Sequence, residues 1–122
     1  MLGNQEVTAF VATSRPVEAL RFYRDVLGLS LVYEDDFALV FQTANATLRI
    51  QKVPQHQPLP YTALGWKVTD IFVIAAALAA QQVTLERFPG LEQDEHGVWA
   101  APSGAKIAWF KDPDGNVLSL TQ

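Results

Sequence analysis

Hydrophobic positions along the chain alternate between the period of a strand and that of a helix, and the switch between them occurs twice. Val7–Thr13 is rich in strand formers (Val7, Phe10, Val11) and predicts a first strand. Ser14-Arg15-Pro16 reads as a helix start, with Ser14 as the cap and proline in the first turn. Ala19, Leu20, Tyr23, Val26 and Leu27 then recur at helical spacing until Gly28 ends the helix. Residues 29–34, 37–43 and 47–53 predict three strands, with turns at Asp35-Asp36 and Ala44-Asn45-Ala46. The first module, residues 1–53, is thus β-α-β-β-β.

Pro54, Pro58 and Pro60 remove ladder donors and favour extended backbone, so residues 54–60 read as a connector. The plan then repeats over 61–122: a strand at 63–69, Asp70 as a cap, a helix at 71–82, and strands at 83–88, 106–111 and 117–121. Ser14 and Asp70 hold equivalent cap positions, the mark of an internal duplication. The acidic insert 89–104 (Glu92, Asp94, Glu95) reads as a surface loop with a short strand around 98–101. Each set of strands must bury an apolar face. The expected fold is therefore α+β, a single domain 1–122 of two βαβββ modules whose strands form a curved eight-stranded mixed sheet with a concave ligand cavity.

Composition narrows the partners. The 122 residues are 49% hydrophobic and 18% charged with a net charge of −4, too apolar for a disordered chain. The basic residues are scattered and form no stripe, so no nucleic-acid partner is expected. No run is long enough to span a bilayer, and the start lacks the pattern of a signal peptide, so the expected location is cytoplasmic, with no membrane partner. With no cysteine there is neither a disulfide nor a thiolate site.

Three stretches carry a family resemblance. Arg15-Pro16-Val17-Glu18-Ala19-Leu20-Arg21-Phe22-Tyr23-Arg24-Asp25-Val26-Leu27-Gly28-Leu29 resembles the first helix of the vicinal oxygen chelate superfamily, which groups glyoxalases, bleomycin-resistance proteins and dioxygenases. Trp66-Lys67-Val68-Thr69-Asp70 resembles the opening of its second half, and Phe110-Lys111-Asp112-Pro113-Asp114-Gly115-Asn116-Val117-Leu118 its last hairpin. The resemblance implies the paired-module fold. It also implies either a metal held by His, Glu or Gln from the first, fourth, fifth and eighth strands, or metal-free binding as in the bleomycin-resistance type. Carried over, those metal positions fall on Thr8, on Arg49 or Gln51, on Ala63 and on Ser119. Hydroxyls, a methyl and a guanidinium do not make a divalent site, and one possible ligand, Gln51, is not enough, so no metal and no cofactor is expected. Asp94, Glu95 and His96 form the lesser alternative for a metal cluster.

By alternation, Thr8, Ala63 and Ser119 would share the concave face with Phe10, Gly65 and Lys67. Lys111 should pair with Val117, placing Trp109 opposite Ser119, and Trp99 would stand at the rim. Trp66, of opposite parity, should pack on a helix. Phe10 and Trp109 read either as cavity walls or as core, and Arg49 either as an anchor or as the partner of a surface carboxylate. The candidate ligand set is Thr8, Phe10, Arg49, Gln51, Ala63, Gly65, Lys67, Trp99, Trp109 and Ser119, suited to a small aromatic or anionic molecule. No catalytic constellation is visible. Metal-free small-molecule binding therefore leads, ahead of a glyoxalase-type lyase or isomerase or a dioxygenase using other ligands, and ahead of a sensor module. The helix from Ile71 is apolar nearly all round, which predicts a homodimer.

Overall fold

The computed structural model describes residues 1–122 and divides into two compact units, Met1–Gln57 and Pro58–Gln122. The division falls inside the proline-rich connector. Each unit holds one four-stranded mixed sheet of the same connectivity, and the fold class is α+β.

In the first unit, β1 (Val7–Thr13), β2 (Ser30–Glu34), β3 (Ala38–Gln42) and β4 (Ala46–Lys52) form a sheet in the order β1-β4-β3-β2. β1 runs parallel to β4, and the other pairs are antiparallel. Alternation in β1 buries Val11 and Thr13, while Leu48, Ile50, Leu39 and Phe41 are buried on the neighbouring strands. The helical segment supplies Ala19, Phe22 and Tyr23 to this core, Tyr23 lying 6.0 Å from Phe41 between ring centroids. The segment begins as α1 (Pro16–Leu20) and widens into a π-helical stretch, Arg21–Val26. Its cap is Arg15 rather than the expected Ser14, and Thr13 Oγ1 accepts the Arg15 N–H at 3.0 Å. At the far end Gly28, with φ +75°, lets Leu29 N–H reach back to Tyr23 O at 3.0 Å.

The second unit repeats the topology with β5 (Thr62–Lys67), β6 (Trp99–Ala100), β7 (Lys106–Lys111) and β8 (Val117–Thr121), ordered β5-β8-β7-β6. Asp70 caps α2 (Ile71–Ala80) by accepting from Phe72 N and Val73 N. The helix buries Ile71, Ala75 and Leu78 and stops two residues before the expected end, where Gln82 adopts φ +63°. Leu118, Leu120, Ala108 and Phe110 are buried on one face of this sheet. Trp66 shares that face, as its parity required, and its ring partner there is Phe110 on β7, stacked at 6.4 Å.

The strand expected at 83–88 does not form. The Gln93 side chain takes the place of a neighbouring strand there, donating to Glu86 O and accepting from Phe88 N, each within 2.9 Å. A single backbone bond, Glu86 N–H to Trp109 O at 2.7 Å, ties the segment to β7. The fourth strand of the sheet is instead the short β6, within the stretch read as 98–101. No helix is long and apolar enough to cross a membrane.

Candidate functional site

The face of the first sheet away from its helical segment carries four of the residues named from the sequence. Parallel pairing sets Thr8 against Thr47, Phe10 against Arg49 and Ala12 against Gln51. Directly paired residues share a face, so Thr8, Phe10, Arg49 and Gln51 lie side by side on two strands. Phe10 is 53% exposed, which removes its reading as core. Arg49 is half-buried and takes part in no ion pair, so its reading as the partner of a surface carboxylate also falls. Its Nη1 donates instead to the Tyr33 hydroxyl on β2 at 3.0 Å.

Tyr33 was not foreseen. β2 slips by one residue against β3 between Leu31 and Tyr33, which sets Tyr33 opposite Val40. Val40 in turn pairs with Arg49. Without the slip, alternation from Leu31 would turn Tyr33 to the helix side. Nothing in the local sequence marks the bulge.

The corresponding face of the second sheet carries Gly65, Lys67, Ser119 and Trp109. Trp109 pairs with Ser119, and Lys111 with Val117, both as expected. Gly65 pairs with Ser119 on the other side, and a Cβ at Gly65 would collide with the Ser119 hydroxyl. Trp99 stacks on Trp109 at 6.2 Å between centroids and 29° between planes. Phe88, also unforeseen, meets the same indole edge-on at 5.2 Å. Trp109 thus stands between two other rings and beside a hydroxyl. Ala63 lies at a second slip, between Thr62 and Leu64, and has no partner in the β8 register.

Charge around these faces is sparse. Lys67 is exposed and makes no ion pair, whereas Lys111 meets Glu86 at 3.3 Å. The Asp35 carboxyl is held below the usual carboxylate range, first by the backbone N–H of Phe37, then by that of Ala38, with Arg49 and Lys52 adding to the shift. Two clefts of about 370 and 240 Å³ lie within the second unit, beside Phe72 and Lys106 and beside Ala79 and Glu95. None of the ten residues named from the sequence lines either one.

The family model for the glyoxalase/bleomycin resistance protein/dioxygenase superfamily matches residues 7–120. The chain belongs to that superfamily. Solved structures of the same fold include lactoylglutathione lyase from Agrobacterium tumefaciens, 16% identical with a TM-score of 0.77 over 99% of this chain and 95% of that one. A superfamily member from Sphaerobacter thermophilus is 22% identical with a TM-score of 0.75, over 99% and 98% of the two chains. The bleomycin resistance determinant encoded on the transposon Tn5 is 18% identical with a TM-score of 0.71, over 98% of each chain. No curated protein is significantly similar in sequence.

The resemblance carries the family's metal positions onto four places in this chain. Thr8, Arg49 or Gln51, Ala63 and Ser119 supply two hydroxyls, a methyl and either a guanidinium or an amide. These side chains include no imidazole and no carboxylate, the donors on which a zinc or transition-metal site is built. Nowhere do three or more His, Asp or Glu side chains come together. In the alternative cluster, Asp94 Oδ1 accepts the backbone N–H of His96 and of Val98, and His96 Nε2 lies 3.5 Å from Glu95. That carboxylate organises its own turn.

Proposed function

We propose that this superfamily member is a metal-independent small-molecule-binding protein that sequesters a planar aromatic compound, a drug or a toxic metabolite. The observation that supports the reading is that the family metal positions carry neither imidazole nor carboxylate, with Gln51 the one possible ligand among them, alongside a partly exposed aromatic cluster. Trp99, Trp109 and Phe88 offer stacking area, while Ser119 and Lys67 offer polar contacts to orient a ring. The Tn5 relative is a bleomycin resistance determinant, and binding of that kind belongs to this proposal.

The test is a titration of intrinsic tryptophan fluorescence with bleomycin and a panel of planar aromatic acids, before and after treatment with chelator. A saturable change that chelation leaves intact is expected, reduced by Trp109→Ala. Elemental analysis after dialysis against nickel, zinc, manganese and iron salts is the second arm. Stoichiometric retained metal, or lyase turnover dependent on it, would replace this reading by a metal-dependent enzyme.

The proposal includes a cytoplasmic setting and a homodimer. In support of the dimer, every residue of α2 is apolar, and Phe72, Val73 and Ile74 stay exposed.

A further inference from the structure

Arg49 is a half-buried cation that forms no ion pair, although its charge reaches the Asp35 carboxyl, and it sits on a face of apolar and neutral polar side chains. Its neighbours there are Phe10, Val40 and Tyr33 across the strands and Thr47 and Gln51 along β4, none of them acidic. Desolvating a guanidinium part-way without a directly paired carboxylate costs stability, and the geometry of its one hydrogen bond points to a use for it. Arg49 Nη1 donates and the Tyr33 hydroxyl accepts, at 3.0 Å, which leaves the phenolic proton free to be donated elsewhere. A hydroxyl polarised by a guanidinium is a stronger donor. The remaining guanidinium N–H groups and the Tyr33 O–H are therefore donors without acceptors among the protein groups recorded around them.

The bulge in β2 is what creates the pair. It costs ladder hydrogen bonds, and bulges recur where a side chain must be re-aimed. Phe10, exposed and paired with Arg49 in the register, adds a ring surface beside the guanidinium.

We propose that Arg49 and Tyr33 form a carboxylate seat, with Phe10 packing against the ring that bears the carboxylate, so that the ligand class is an aromatic carboxylic acid. This deepens the small-molecule reading above and rests on it. The guanidinium presents its fork to the two oxygens, and the Tyr33 O–H donates to one of them. No bond is made or broken.

The experiment compares 2-naphthoate with its neutral isostere, 2-naphthamide, by isothermal titration calorimetry on the intact chain. The acid is expected to bind at least about tenfold more tightly, the size of a charge-assisted hydrogen-bond gain. Arg49→Gln should reduce that preference to less than about twofold, and Arg49→Lys, which keeps the charge but loses the fork, should fall between. Tyr33→Phe should lower affinity for the acid alone. Thermal melts superimposable on the wild type qualify each variant, and Tyr33→Phe, the mildest, keeps the comparison open should an Arg49 variant unfold. Equal binding of acid and amide by the wild type overturns the seat while leaving aromatic binding intact. Binding of neither probe overturns both.

Discussion

Asn116 is bound to both oxygens of the Asp112 carboxylate. Oδ1 accepts the Asn116 backbone N–H at 2.9 Å, Oδ2 accepts its side-chain Nδ2 at 2.8 Å, and Oδ1 also takes the Asp114 N–H at 2.9 Å. Asp112 and Asn116 are 6% and 4% exposed, so water cannot replace these bonds. Asp112→Ala would leave buried donors unsatisfied, and a loss of about 2–4 kcal/mol is expected. Urea unfolding followed by circular dichroism measures it. An unchanged midpoint would mean that Pro113 and Gly115 hold the hairpin by backbone geometry alone.

Gly65 and Ser119 compete for one space on adjacent strands. A methyl at Gly65 meets the Ser119 hydroxyl first, while the Ser119 carbonyl at 3.4 Å and its Cβ at 3.7 Å are at or beyond ordinary contact. Gly65→Ala alone is expected to destabilise by about 1 kcal/mol through a forced rotamer at Ser119. Gly65→Ala combined with Ser119→Ala should recover most of it. A double-mutant cycle with no coupling between the two sites would contradict this account.

The Asp35 carboxylate accepts Phe37 N–H at 2.8 Å and Ala38 N–H at 2.9 Å at the mouth of β3. These bonds favour the ionised form and hold its pKa down. The stability they contribute is present above the unfolded aspartate value of about 3.9 and disappears as pH falls through the lower folded value. Melting temperatures of the wild type and Asp35→Ala should therefore differ by a constant amount from about pH 7 to 5 and converge below about pH 4. A gap that persists undiminished at pH 2 would show that the carboxylate's charge is not the cause.

On α2, Phe72 and Val73 are 43% and 60% exposed. If a second copy covers this face, Val73→Asp should convert dimer to monomer without lowering the stability of the chain itself, since an anion near a helix N-terminus is tolerated. Sedimentation velocity at micromolar concentration distinguishes the states. A wild-type species of only 13.5 kDa would end the dimer proposal.

The two modules were legible because their signals are local. Alternation fixed β1 to its observed bounds, Asp70 announced α2, Gly28 ended the first helix, and the hairpin residues 112–116 set Trp109 opposite Ser119. The cap at Ser14 failed because the helix starts at Pro16, which makes Arg15 its cap. The strand at 83–88 failed because the Gln93 side chain, supplied by a loop, satisfies that backbone in place of a sheet neighbour.

Side-chain chemistry at each family position could be read from the sequence alone, because the identity of Thr8, Ala63 or Ser119 needs no coordinates. Which residues meet across strands could not. Tyr33 reaches Arg49, and Ala63 drops out of its register, through one-residue slips that reverse the facing of a strand. Such slips are settled by the competition of long-range pairings and packing, which periodicity within one strand does not encode.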